Sequence, residues 1–174
     1  VEAIKVLAQL GVNKEAKDAH GETALHYAAE EGYVEAIKAL VQLGVDKEAK
    51  DDDGATALHD AAGEGHVEAI KALVQLGVNK EAKDADGATA LHDAAGEGHV
   101  EAIKALVQLG VNKEAKDDDG RTPLHMAAGE GHVEAIKALV LLGAQLDAQS
   151  AQRLTPLQVS IKAGHHQAAQ VLRE

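Results

Sequence analysis

The apolar residues of this chain lie at helical spacing in short segments, and the same pattern of apolar and polar positions returns every 33 residues. In the copy at 51–83, Thr56 is suited to cap the start of a first helix. Gly63 and Gly65 predict that this helix breaks before position 66. The apolar positions of this predicted helix are Leu58, Ala61 and Ala62.

A second amphipathic helix is predicted in the later half of the same copy. Its polar side carries Glu68 and Lys71, three residues apart, which favours an ion pair on the exposed face. Gly77 follows at the position that tolerates a left-handed backbone after a helix. The polar residues beyond it predict a turn. The apolar stripe of this helix consists of Val67, Ile70, Leu73 and Val74.

The copies are nearly identical, because 51–83 and 84–116 differ only at Asp52 and Ala85. The preceding copy matches 51–83 at 26 of 33 positions, and the following copy matches 84–116 at 23. A fixed period of this length predicts stacked units that share one core. We therefore predict a single domain over 1–174, made of a half unit at 1–17, full units at 18–50, 51–83, 84–116 and 117–149, and a C-terminal capping unit at 150–174.

The two ends depart from the regular unit. The half unit aligns with the second half of a repeat, so we expect the sequence to begin inside a repeat. In the capping unit Gln158 replaces the repeated His, His166 replaces a stripe Val, and Ala169 replaces a stripe Ile. Such changes suit a face that no further unit covers. The second helix of this unit is predicted to end near Glu174.

The residues conserved between copies identify the family that the chain resembles. The pattern Asp-x-x-Gly-x-Thr-x-Leu-His-x-Ala-Ala, followed by Gly-His and Leu-Gly, is similar to the ankyrin repeat and extends over all 174 residues. The resemblance implies an all-α solenoid of stacked helix-turn-helix units with projecting β-turn or hairpin loops. Two departures stand out: Ala24, Ala57 and Ala90 replace the usual Pro, and Lys-Glu replaces Val-Asn at 47–48, 80–81 and 113–114.

Composition narrows the classes of partner. Acidic residues outnumber basic ones 29 to 17, for a net charge of -12, which disfavours nucleic acid and anionic membranes and favours a basic partner. The sequence has no cysteine and no apolar run of membrane-spanning length. We expect a monomeric, intracellular protein of the cytoplasm.

Histidines and acidic runs are the residues that most resemble a chemical site. Successive repeated histidines would lie about 10 Å apart, too far to share one metal ion. The resemblance implies that they bond the neighbouring Thr and backbone. The acidic runs at 51–54 and 117–120 are similar to a calcium loop. When Gly87 of the third full unit is aligned with the invariant glycine of such a loop, however, Ala82 takes the first ligand position and Asp93 the bidentate one. No nucleophile or phosphate motif occurs, so we expect no enzyme and no cofactor. The repeated histidines are His26, His59, His92 and His125.

Differences between copies indicate a binding surface. Six of the seven differences between the first two full units lie in the turn, the first helix or the bend after it. The fourth unit also differs in its turn and first helix, and its other changes lie from Leu141 onward. In ankyrin-like stacks the turn tips and first helices form a concave groove that binds proteins. By resemblance, the groove residues are His20, Glu22, Tyr27, Glu30, Asp53, Ala55, Asp60, Asp86, Ala88, Asp93, Asp119, Arg121 and Met126.

Two hypotheses for function stay open at this point. The first is an interaction module whose acidic groove binds a protein or peptide of basic character. The second is an engineered, consensus-like or recently duplicated scaffold with no dedicated ligand. The invariant exposed Gln42, Gln75 and Gln108 favour the second hypothesis, and the divergent capping unit favours the first.

Overall fold

The chain forms paired helices along its length. The computed structural model describes residue 2 and residues 11–173, so most of the predicted half unit at 1–17, and Glu174, lie outside the described residues. Among the described residues no strand occurs. The helices within 11–173 are α1 (Ala24–Glu30), α2 (Val34–Gln42), α3 (Ala57–Gly63), α4 (Val67–Gln75), α5 (Ala90–Gly96), α6 (Val100–Gln108), α7 (Pro123–Glu130), α8 (Val133–Leu141), α9 (Pro156–Ala163) and α10 (His166–Val171).

The helices pack in two parallel rows. The first helices of successive units contact one another in the order α1, α3, α5, α7 and α9, and the second helices do so in the order α2, α4, α6, α8 and α10. Each first helix also contacts the second helix of its own unit. This arrangement confirms the predicted all-α solenoid of stacked helix-turn-helix units.

The core repeats with the sequence. Leu58, Ile70 and Leu73 of one unit are buried, together with their equivalents in the neighbouring units. Ala61 and Ala62 have no exposed surface. Their small side chains let successive first helices approach closely, so that burial of aliphatic side chains from two rows can stabilise a thin core without aromatic residues.

The ends of the first helix follow the predicted signals with one difference. Thr56 caps α3 in a reciprocal arrangement with His59. Gly63 does not break the helix, since it is the last helical residue of α3. The break falls at Gly65, where φ is +73° and a Cβ would lie 2.8 Å from the His99 ring. A side chain at this position would be strained and would also displace the histidine of the next unit.

Each repeated histidine joins two units. The Thr56 N–H donates to His59 Nδ1 across 3.1 Å, which leaves this nitrogen unprotonated. His59 Nε2 therefore carries the proton and donates to the Ala88 carbonyl of the next unit across 3.3 Å. Burial lowers the pKa of His59, His92 and His125, in keeping with a neutral ring. The other rings make the same cross-unit bond to the carbonyls of Ala55, Arg121 and Leu154.

A second set of cross-unit bonds explains the unusual Lys-Glu dipeptide. Lys47 donates to the Leu76 carbonyl at the end of α4 across 2.8 Å, and the Asn79 N–H donates to Glu48 across 2.8 Å. Lys50 donates to the main-chain carbonyl 33 residues further on. The same three bonds recur at the next junction, made by Lys80, Glu81 and Lys83. A cation at the end of the second helix also opposes the negative pole of that helix.

The turns are held by the first Asp of each unit. Asp51 Oδ1 accepts hydrogen bonds from the N–H groups of Asp53 and Ala55. One main-chain bond then links this turn to the preceding one, because the Asp52 N–H donates to the His20 carbonyl across 3.0 Å. The acidic run at 51–54 therefore forms the hydrogen bonds that hold its own turn.

The capping unit differs from the prediction on its open face. Gln158 and His166 are exposed, as expected, whereas Ala169 is only 2% exposed. Ile161 is 48% exposed at the position where the repeats have a buried Ala. The second helix of this unit ends at Val171, before the predicted Glu174.

We predict that His92→Ala lowers the free energy of unfolding by about 2–4 kcal/mol, because the hydrogen bonds of the buried ring to the Thr89 N–H and the Arg121 carbonyl are lost and these groups are left unsatisfied. Urea denaturation measures the change. His20→Ala, in an exposed turn, is the control and should change stability by less than about 0.5 kcal/mol. Equal stability of the two variants would contradict the bridging role.

We further predict that deletion of 84–116 lowers the urea midpoint and reduces the m-value by roughly a fifth. The new junction from Lys83 to Asp117 keeps the side chains of the original one, since Lys80, Glu81 and Lys83 replace identical residues. The loss thus reports one repeat and one junction. An unchanged midpoint would show that neighbouring units do not stabilise each other.

Candidate functional site

A cleft of about 480 Å³ lies along the row of first helices. It is centred on α3 and α5 and reaches the neighbouring units at both ends. Side chains and backbone from four consecutive units line it: Glu22, Glu30, Ala55, His59, Asp60, Gly63, Glu64, Asp84, His92, Asp93, Gly96, Glu97 and Met126. We call this surface the central cleft.

Two glycines keep the floor of the central cleft open. Gly63 and Gly96 are the final residues of α3 and α5, where glycine is unfavourable for a helix. A Cβ added to them would meet only Asp93 Cβ at 4.0 Å and Met126 Cε at 3.9 Å, so neither steric crowding nor a left-handed backbone requires glycine here. Their effect is to leave space between adjacent first helices.

The central cleft is strongly acidic. Seven of its lining residues are Asp or Glu, and no Lys or Arg lines it. Carboxylates that share a confined surface repel one another and raise the negative potential there. The cleft is therefore suited to a cationic ligand.

Asp60 and Asp93 are the carboxyls of this cleft whose pKa is raised by burial. Burial raises the pKa of Asp60 to about 8, and repulsion from Asp51, Glu22 and Glu30 adds to the effect. Its Oδ2 is buried and accepts no hydrogen bond from any described residue. Burial likewise raises the pKa of Asp93 to about 7. Both groups thus exchange protons near neutral pH.

A smaller cleft of about 180 Å³ lies where the fourth full unit meets the capping unit. Arg121 reaches it with its guanidinium held by Asp117, whose Oδ2 lies 2.7 Å from Nε, and by Asp119 at 3.4 Å from Nη2. We call it the terminal cleft. Its lining residues are Asp119, Arg121, Ser150, Gln152, Leu154, Val159 and Lys162.

The structure divides the thirteen predicted groove residues into three groups. Six line the central cleft: Glu22, Glu30, Ala55, Asp60, Asp93 and Met126. Two line the terminal cleft: Asp119 and Arg121. Five line neither: His20, Tyr27, Asp53, Asp86 and Ala88.

The residues outside both clefts have other contacts. The Tyr27 hydroxyl donates to Asp18 Oδ2 across 2.7 Å, and this bond raises the pKa of Tyr27 to about 12. Ala88 is buried, and its carbonyl accepts the hydrogen bond from His59. His20, Asp53 and Asp86 lie at exposed turn tips and bond the next turn through their carbonyls.

Sequence comparison missed several lining residues of the clefts. Glu64 and Glu97 stand at a position that is Glu in every full unit, so a search for variable positions passes over them. The sequence predicts a helix break at Gly63, and Gly96 occupies the equivalent position in the next unit. In the capping unit, Lys162 occupies the position of these glycines, and only this alignment would have identified it as a lining residue.

The described residues contain no group of three or more His, Asp or Glu side chains placed to hold a metal ion. None of the described helices is long and apolar enough to cross a membrane.

We predict that Asp60→Asn stabilises the protein increasingly from about pH 4 to pH 8. The folded pKa is raised above the ordinary value of 3.8, so the folded state binds more protons in this window and stability falls as pH rises. Asn cannot ionise, so the gain over the parent should reach about 1–3 kcal/mol above pH 8. Chemical denaturation at several pH values measures it, with the exposed Asp53→Asn as control. A gain that is the same at pH 4 and pH 9 would be evidence against a buried Asp60 carboxyl.

Comparison with known proteins identifies the family. A family model described as "Ankyrin repeats (3 copies)" matches residues 1–51, 43–117 and 109–174. The comparison with curated proteins gave no match. Ankyrin repeats are generally non-enzymatic modules for protein–protein interaction. The matched segments together cover the whole chain, so this chain belongs to the ankyrin repeat family.

Proposed function

We propose that this chain is a non-catalytic interaction module that binds a basic segment of a partner protein in the central cleft. The observation that carries the proposal is the set of seven carboxylates lining this cleft without a single Lys or Arg. Lysine and arginine side chains would neutralise this surface and bond its carboxylates directly. The cleft is open and elongated, which suits a peptide segment better than a small molecule.

The cost of burying the Asp60 carboxyl also favours a cationic ligand. Asp60 has a buried oxygen with no hydrogen-bond donor among the described residues. A bound Lys or Arg would supply the donor and favour the ionised carboxylates of Asp60 and Asp93, so part of the cost of burying them would be offset on binding. Burial of cation and carboxylate together gives affinity that depends on salt and pH.

The histidines of the central cleft have structural contacts. His59 and His92 line the central cleft, yet Nδ1 of each accepts from a Thr N–H and Nε2 donates to a carbonyl of the next unit. A ring bonded at both nitrogens has no lone pair or proton for a substrate. This arrangement supports binding without catalysis, and without a cofactor.

The alternative is a scaffold with no dedicated ligand, either engineered or recently duplicated. It is favoured by the central pair of units, whose cleft residues are copies: Asp60 and Asp93, Gly63 and Gly96, Glu64 and Glu97. A surface adapted to one partner is expected to differ from unit to unit, and Trp, Tyr and Arg are the residues enriched at binding hot spots. The binding measurement below separates the two functions.

We predict that a Lys/Arg-rich peptide binds the protein at low salt and that raising the ionic strength from about 0.02 to 0.5 M weakens binding at least tenfold. Isothermal titration calorimetry measures the dissociation constant. Glu64→Lys with Glu97→Lys reverses two exposed charges in the central cleft and should abolish most of the affinity.

Glu68→Lys with Glu101→Lys is the matched control, because it makes the same change in net charge on the exposed side of α4 and α6. The control should retain most of the affinity. Equal loss in the two double variants would show that only overall charge attracts the peptide. Absence of binding at low salt would overturn the proposed function and favour the scaffold without a ligand.

A further inference from the structure

The groove changes its charge from one end of the stack to the other. At equivalent positions in the C-terminal turn of the first helix, successive units carry Glu30, Gly63, Gly96, Gly129 and Lys162. Before the capping Thr, successive full units carry Glu22, Ala55, Ala88 and Arg121. Two structurally equivalent positions thus pass from carboxylate, through small neutral residues, to a cation.

The terminal cleft is built differently from the central cleft. Lys162 and Arg121 line it with Asp119 as the single carboxylate, and Leu154 and Val159 supply apolar walls. Arg121 is positioned by the buried Asp117, which is 6% exposed and also fixes the backbone of the turn by accepting from the Arg121 N–H at 2.7 Å. Lys162 is exposed and forms no ion pair with any described residue.

We propose that the groove orients its partner, so that a basic stretch occupies the central cleft while a carboxylate of the same segment binds between Lys162 and Arg121 in the terminal cleft. This inference rests on the proposed function and adds the order of charges that the segment must carry. Charge complementarity is the argument: the central cleft repels a carboxylate, and the terminal cleft offers it an unpaired ammonium group.

The spacing of the two charges follows from the stack. The centre of the central cleft lies between α3 and α5, in the second and third full units. The terminal cleft lies between the turn of the fourth full unit and the capping unit with α9, two units further. Packed helices are about 10 Å apart, so the separation is about 20 Å. An extended chain covers this distance in about six residues. The partner should carry its acidic residue about six residues from the centre of its basic stretch.

Two peptides test the inference. Both carry the same basic stretch and a neutral spacer that places the last residue about six residues from the centre of that stretch, and this last residue is Glu or Gln before an amidated terminus. The parent protein carries a net charge of -12, so an unoriented electrostatic attraction makes the Glu peptide the weaker ligand. The inference predicts the opposite sign: the Glu peptide binds about two- to fivefold more tightly, as expected for one exposed ion pair.

Protein variants assign the effect to the terminal cleft. Lys162→Gln should bring the affinity ratio of the two peptides to one or below. Lys137→Gln removes an exposed cation from α8 in the other row of helices and should leave the ratio unchanged. A spin label at the acidic end of the peptide should broaden amide signals near Gln152 and Lys162, and a label at the basic end should broaden those near Glu30 and Asp60.

The outcomes separate the two proposals. If neither peptide binds at low salt, the proposed function and the inference both fail. If both peptides bind but Glu gives no gain, or the gain survives Lys162→Gln, the groove does not orient its partner and the inference alone is overturned. A spin label that broadens both ends of the groove equally overturns it as well.

Discussion

The stack depends on a neutral imidazole that is shared between adjacent units. Each repeated histidine accepts a hydrogen bond from the cap of its own first helix and donates one to a carbonyl of the next unit, as His59 does with Thr56 and Ala88. Local helix capping and long-range packing therefore use the same side chain. A positively charged ring would present a proton to the Thr N–H and would lose this geometry. The unit can thus form its helix and recruit its neighbour only while the ring is uncharged.

The acidic cleft lies next to these bridging histidines, and some of its residues lower the stability of the fold. Asp60 and Asp93 follow directly after bridging histidines, and burial that keeps the rings neutral also raises the pKa of these carboxyls. The helical Gly63 and Gly96 add a further cost, since glycine is unfavourable at helical positions. Features that lower stability without serving the fold are typical of binding sites. Their coincidence in one cleft supports a binding role for it.

The fold followed from the sequence because its signals are local and repeated. The period, the capping Thr and the apolar stripe each specify backbone or burial within a single unit, and every copy gives the same answer. The site was less predictable. The Lys-Glu dipeptide carries no local sign that Lys47 and Glu48 bond the next unit, and Ile161 looks like a core residue until the open face of the capping unit is known. Comparison of the copies identified residues at the ends of the groove. It did not identify Glu64 and Glu97, because their position is Glu in every full unit and such a comparison detects only positions that differ.

The bonds between units are directional, and this has a consequence for which parts of the chain can change. At the junctions between full units the earlier unit contributes side chains, namely His, Lys and Glu, and the later unit contributes mostly main-chain groups. A main-chain acceptor is present whatever residue carries it: Lys83 bonds the carbonyl of Lys116, and Lys116 bonds that of Gln149. The junction with the capping unit has fewer such bonds, since Leu146, Asp147 and Gln149 replace the lysines and the glutamate in the fourth full unit, and His125 supplies the side-chain bond to the Leu154 carbonyl. The capping unit accepts this bond with its main chain, so its own loss of the repeated histidine, lysines and glutamate does not remove it. In such a stack, the freedom to substitute these junction residues depends on the position of the unit along the chain. It is greatest in the unit that accepts these bonds with its main chain and donates none with its side chains.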